Sequence, residues 1–201
     1  MLVTLEDMKV YLKIAADDGT YDDILTDMIT ATGKQFDNYC KRDFEVSDYT
    51  LYLDGNGLDH IFLKNYPINE ITSIHIDTDR KYTDDTEVTT DNYTTYDDEG
   101  QIALIDYAFD QGIFPKVRQC IKIVCNLGYT TAVTGYDLPD DLWKAAKDQT
   151  KYAFRKWQNS EEGKSSYSTV NNSISLIENT DIIKMIKPTL DRYRNRYYGN
   201  I

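Results

Sequence analysis

Leu138-Pro139-Asp140-Asp141-Leu142-Trp143-Lys144-Ala145-Ala146, running on through Thr150, Ala153 and Phe154 to Trp157, is the stretch that decides the fold. Proline suits the first position of a helix, where the N–H it lacks would have no intrahelical partner. Asp140 and Asp141 then fill a first turn whose dipole favours negative charge. Leu142, Trp143, Ala146, Thr150, Ala153, Phe154 and Trp157 cover a wider arc than the single stripe of a surface helix. That arc predicts a central helix packed on more than one neighbour.

Two further helices are predicted at the N-terminus. Thr4 is a good N-cap, Glu6 and Asp7 sit in the first turn, and Leu5, Met8 and Leu12 form one apolar stripe. Ala15 to Thr20 reads as a loop. A longer helix follows from about Asp22 to Cys40, with Leu25, Met28, Ile29, Thr32, Phe36 and Tyr39 on one face. Two such helices with a short join are expected to pair antiparallel. The expected helical core is Leu25, Met28, Ile29 and Phe36 against Leu142, Trp143, Ala146, Phe154 and Trp157.

Between these ends the period changes to two. Tyr49 to Leu53 reads as a strand, and Asp54-Gly55-Asn56-Gly57 as a tight reversal. Pro67 marks a strand edge or loop. In Ile71 to Asp77, Ile74 and Ile76 alternate with Ser73 and His75, which predicts a half-buried strand with His75 facing out. Residues 79–99 are polar and rich in Asp and Thr, with a short strand-like piece at Tyr93 to Tyr96. Ile102 to Ile105 and Ile121 to Leu127 are further strands; in the second, Ile121, Ile123, Cys125 and Leu127 share a face. Asn159 to Asn172 reads as a loop. A last helix from Asp181 meets Pro188, which predicts a kink or two short helices. The expected class is α+β: a helical domain of 1–46 and 131–201, with an inserted, mainly antiparallel β module of 47–130.

The 201 residues suffice for one substantial domain or two small ones, and 41% apolar with 12% aromatic content fits a globular chain. No apolar run approaches membrane-spanning length, so no membrane partner is expected. The N-terminus moves directly into a charged helical pattern, so secretion is not expected. Cys40, Cys120 and Cys125 cannot all pair. The spacing of the last two puts them on opposite faces of a strand, and free thiols in a reducing compartment are expected. Charge is bipolar. Residues 1–100 carry 23 acids against 8 bases, whereas residues 151–201 carry 5 acids against 9 bases.

The acids do not have ligand spacing. An EF-hand reading of Asp77-Thr78-Asp79 fails because Tyr82 stands at the glycine position and Val88 at the closing glutamate. His60 and His75 are the only histidines, and there is no Cys-x-x-Cys, so no zinc site is expected. Nucleophile-elbow, phosphate-loop and His-Glu-x-x-His patterns are absent. No catalytic residue, metal or cofactor is assigned, and an enzyme is not expected. Arg192, Tyr193, Arg194, Arg196, Tyr197 and Tyr198 combine cations with rings. They form either a docking peptide for another protein or a solvated helix end, with nucleic-acid contact as a third reading.

Thr4-Leu5-Glu6-Asp7-Met8-Lys9-Val10-Tyr11-Leu12-Lys13-Ile14, then Asp22-Asp23-Ile24-Leu25 and Met28-Ile29, resembles the opening of tailed-phage head–tail connector proteins, also called head-completion adaptors or DNA-packaging proteins. Leu138 to Ala146, with Tyr152 and Arg155, is similar to that family's third helix. Ile183, Leu190 and Tyr193-Arg194 resemble its terminal helix. These pieces cover about half the chain. Tyr52 to Gly57 and Tyr66 to Ile71 resemble the β-rich insertion of longer members. The resemblance implies a structural virion protein of the neck, assembled in the host cytoplasm. It further implies a homo-oligomeric ring below the portal protein, passage of double-stranded DNA, and contact with the next neck or tail-completion protein. On this reading the Arg192–Tyr198 segment is the candidate portal-docking element. A stopper or head-decoration protein, and an acid-dependent hydrolase, are the alternatives.

Overall fold

The computed structural model describes residues 2–105, 112–130, 135–159, 167–169, 172–174 and 182–195. It is an α+β structure that divides into two compact units, Met1–Arg42 with Leu138–Asn195, and Asp43–Asp137 with Arg196–Ile201. The divisions fall at 42/43 and 137/138, where sequence reading placed them at 46/47 and 130/131.

The helical unit holds α1 (Leu5–Leu12), α2 (Asp22–Cys40), α3 (Asp140–Gln158) and α4 (Lys187–Tyr193). Thr4 caps α1 through a reciprocal capping box with Asp7, which satisfies two donors that a helix start otherwise leaves unpaired. Both α1 and α2 end on a left-handed lysine, Lys13 and Lys41. Helix α3 packs against α1, α2 and α4, as its wide apolar arc requires. Leu25, Ile29, Phe36, Leu142, Ala146 and Phe154 are buried in this unit. Met28 and Trp143 are only half-buried. Trp157, expected inside, stays 37% exposed. It lies in the last turn of α3, where its ring stacks on Phe154 and meets Tyr21 edge-on (centroids 5.8 and 6.2 Å away).

Two buried polar side chains of α3 find partners in this core. Thr150 Oγ1 lies 3.2 Å from Thr32 Oγ1 and donates to Ala146 O at 2.9 Å. The buried Gln149 carboxamide donates to Gln35 and accepts from Ile183 N. Pro139 occupies the N-cap position of α3, one residue ahead of its expected place. Pro188 lies in the first turn of α4, after a 3₁₀ turn at Lys184–Ile186, where its missing N–H costs no intrahelical bond. Within the expected 159–172 loop, β7 (Tyr167–Thr169) pairs antiparallel with β8 (Asn172–Ile174). The rest of that loop beyond Asn159 lies outside the described residues.

The β unit contains two antiparallel three-stranded sheets. One has the order β1 (Ser47–Leu53), β6 (Ile121–Leu127), β3 (Ile68–Ile76); the other has β2 (His60–Phe62), β5 (Gln101–Leu104), β4 (Tyr93–Tyr96). Ile74, Ile121 and Ile123 of the first sheet and Ile61 and Ile102 of the second share one buried core with Leu63 and Phe114. Burial alternates strictly along β6, as a central strand with one buried face requires.

Three expectations fail in this unit. Asp54–Gly57 is not a hairpin reversal, because β1 and β2 lie in different sheets. The chain instead passes against 114–117: Gly55 N donates to Val117 O and Gly57 N to Phe114 O, both at 2.9 Å. A Cβ at Gly55 would lie 1.7 Å from Pro115 O, so the glycine serves close approach and not a turn. His75 is buried, because the segment after β3 folds back over it. Val88 N donates to Ile74 O, and His75 bridges Glu87. Cys120 precedes β6, so it and Cys125 are both buried in the same core as free thiols.

Candidate functional site

The candidate docking residues of the C-terminal segment begin in the last turn of α4. Arg192 and Tyr193 both reach Asp141 in the first turn of α3. Arg192 Nη2 lies 2.7 Å from Oδ2, and the Tyr193 hydroxyl donates to Oδ1 at 2.6 Å. The Arg194 guanidinium lies 5.9 Å from the centre of the Tyr39 ring, whose hydroxyl donates to Asp191 at 2.8 Å. Asn195 N donates to Cys40 O. These residues fasten α4 to α2 and α3. Arg196, Tyr197 and Tyr198 lie outside the described residues.

A second cationic surface was not anticipated. Residues 144–156 hold five bases, Lys144, Lys147, Lys151, Arg155 and Lys156, against one acid, Asp148. Lys144, Lys147, Lys151 and Arg155 follow three- and four-residue steps, so they line one side of α3. The Lys147 ammonium sits 3.0 Å from the Trp143 ring centre and 5.0 Å from that of Tyr11 on α1, and the Lys151 ammonium 4.9 Å from Tyr11. Cations over ring faces are attracted by the ring quadrupole. Asp148 accepts from the Tyr11 hydroxyl at 2.5 Å and pairs with Lys144 at 3.2 Å. Burial alone would raise the Asp148 carboxyl, but those hydrogen bonds outweigh it and hold the group below its ordinary range. The same hydrogen bond, helped by burial, raises the Tyr11 phenol. The lysine spacing is legible in the sequence, on the side of α3 opposite its apolar arc.

The β unit has the reverse character. Residues 43–137 carry 18 acids against 6 bases, and 84–99 alone hold seven acids and no base. Asp84, Asp85, Glu87, Asp91, Asp98 and Glu99 are exposed, while the half-buried Asp97 accepts from the Tyr136 hydroxyl at 3.0 Å. Single-turn 3₁₀ helices at Asp84–Thr86, Thr90–Asn92 and Asp97–Glu99 carry most of them. Asp77, weighed above as a metal ligand, accepts the backbone N–H groups of Asp79, Lys81 and Tyr82 at 2.7–2.8 Å. Those bonds, that from Tyr82 foremost, hold its carboxyl low. They bring Arg80 and Tyr82 into left-handed backbone. Asp77 shapes its own loop. Among the described residues no three His, Cys, Asp or Glu side chains converge as a metal site, and no helix is long and apolar enough to cross a membrane.

Three solved structures share the fold. A chain in the virion of a native gene transfer agent particle matches with a TM-score of 0.59 at 15% identity, covering 99% of this chain and 93% of that one. A chain from the neck of the empty particle, computed with C6 symmetry, gives 0.56 at 14% identity with the same coverage. One from the neck of the native particle, computed with C12 symmetry, gives 0.53 at 16%, covering 88% and 85%. None of the curated proteins compared matches the chain. The model of the family described as "Head completion protein" matches residues 1–196, nearly the whole sequence with both units, and the chain belongs to that family.

Proposed function

We propose that the chain is a structural protein of the particle neck, forming a closed ring below the portal that extends the DNA channel and receives the next neck or tail-completion protein. The observation that carries this reading is the head completion family match over residues 1–196. Fold likeness to chains in neck structures computed with C6 and C12 symmetry supports the ring. A closed ring of identical copies requires heterologous contacts, one patch meeting a different patch on the next copy.

The charge distribution suits a channel. Affinity for DNA comes mainly from neutralising phosphates. A β unit with 18 acids against 6 bases would let a duplex slide without being held. The C-terminal segment remains the candidate portal contact, with one change of emphasis. Arg192 and Tyr193 are engaged by Asp141, so Arg196, Tyr197 and Tyr198 are the residues to test. Removing 188–201 would also remove the fully buried Leu190, whose carbonyl accepts from Cys40 Sγ. Truncation after Asn195 is the cleaner cut.

The test mixes the chain with portal rings of the same particle and examines the product by co-sedimentation and negative-stain microscopy. The reading expects rings stacked coaxially on the portal, and loss of co-sedimentation on truncation after Asn195 with the fold retained. Full-length chain that sediments alone at all ratios would overturn it.

A further inference from the structure

We infer that the lysine-lined side of α3, together with Trp143 and Tyr11, is one half of the contact between successive copies of this chain, and that its occupant is the acidic 84–99 segment of the neighbouring copy. The inference rests on the ring reading and names the two patches that a heterologous contact needs.

Charge complementarity carries it. In a chain of net charge −12, the 144–156 stretch stands five bases to one acid. That single acid is already satisfied by Tyr11 and Lys144. The 84–99 segment stands seven acids to none, six of them exposed. Each patch alone is an unbalanced field that costs self-repulsion, and each is the other's complement. If the two patches meet in a head-to-tail ring, every interface repeats the same pairing.

The cationic side is also preorganised. Lys147 and Lys151 are held over rings and not free in solvent, so less side-chain entropy is lost when a carboxylate arrives. Trp143 and Tyr11 supply flat apolar area beneath the ammonium groups, the residue types enriched where interfaces gain affinity. A nucleic-acid occupant is the competing possibility, and it would have to approach a chain that is acidic over most of its length. The assignment leaves the channel reading intact, because outside 84–99 the segment 43–137 still carries 11 acids against 6 bases.

Two charge-swapped full-length variants test it. The first carries Lys144→Glu, Lys147→Glu and Lys151→Glu; the second carries Asp84→Lys, Asp85→Lys, Asp98→Lys and Glu99→Lys. Circular dichroism melting first establishes that each folds, with Lys144→Glu/Arg155→Glu as the fallback if the triple change unfolds α3. Ring yield on portal is then counted by negative stain. Either variant alone should show about a tenfold or greater fall in ring yield, since like charges then face each other across every contact. An equimolar mixture should recover closed rings, because alternating copies restore opposite charge at every contact. Rings from the first variant alone at wild-type yield would overturn the inference while leaving the ring reading standing. So would failure of the folded pair to complement, as expected if the lysines contact the same chain's own acids. Loss of retention on a 200-base-pair duplex by the first variant with rings intact would overturn it in favour of DNA. Wild-type chain that forms no ring would overturn the ring reading itself.

Discussion

Replacing Asp141 by alanine should loosen the helical unit by about 2 kcal/mol. Asp141 accepts from the Tyr193 hydroxyl at 2.6 Å and from Arg192 at 2.7 Å, tying α4 to the start of α3. A hydrogen bond to a charged group contributes about 1.5 kcal/mol or somewhat more when partly buried. The Arg192 pair is worth less, roughly 0.5 kcal/mol, because its side chains are 64% and 36% exposed and solvent screens them. Loss of a negative charge from the first turn of α3 adds about 0.3–0.5 kcal/mol. Asp140 is the control, since it shares the helix dipole but makes neither of these contacts. Both tryptophans, Trp143 and Trp157, lie in α3, so urea unfolding followed by tryptophan fluorescence reports this unit separately from the β unit. A double-mutant cycle of Asp141→Ala with Tyr193→Phe should show coupling of about 1 kcal/mol. Asp141→Ala no more costly than Asp140→Ala, with an additive cycle, would refute the latch.

Three further outcomes follow from the geometry. Gly55→Ala should destabilise the β unit by about 1–3 kcal/mol, because its Cβ would meet the Pro115 carbonyl backbone and the chain must shift to admit it; an unchanged unfolding midpoint for far-ultraviolet ellipticity would contradict this. All three cysteines are buried, and burial pushes the Cys40 and Cys125 thiols up to about 12, so Cys40 and Cys125 should not react with a disulfide reagent at pH 8 until urea unfolds the chain, since the thiolate is the nucleophile; rapid native labelling of either, read by peptide mapping, would count against the core. Asp148 is held below its ordinary range, so its pairing stabilises α3 above the unfolded value of about 4 and is lost as pH falls through the folded one. The raised Tyr11 phenol contributes in the opposite sense, fully below about 10 and lost as pH rises. Asp148→Asn should therefore flatten the acid limb of the urea midpoint against pH, and an unaltered limb would refute the assignment.

Local patterns were readable from the residues alone. The bounds of α2, the Thr4 cap, the alternation of β6 and the breadth of α3 each depend on neighbours within a turn or two, where period and capping decide. Pairings over long separations were not. Nothing in Tyr49–Leu53 or Ile71–Asp77 announces that both strands flank β6 and that β2 belongs to another sheet. His75 follows the outward alternation of its strand, yet it is buried by a segment about a dozen residues on, which strand period cannot express. Trp157 fits the apolar arc of α3 but lies in the last turn, where the neighbouring helices no longer cover it. At the candidate site, the basic C-terminus was visible as composition. That Arg192 and Tyr193 would be taken by Asp141, some fifty residues earlier, was not. The lysine side of α3 was legible by spacing, but its tethering to Tyr11 requires knowing that α1 packs on α3.

A cryo-electron microscopy reconstruction of the neck of the particle that carries this chain tests the central claim most directly. The account predicts copies of the chain in a closed ring around the DNA channel, seated on the portal, with α3 of each copy facing the 84–99 segment of the next. Copies dispersed over the head surface, or a neck whose ring density cannot hold this α+β fold, would contradict it.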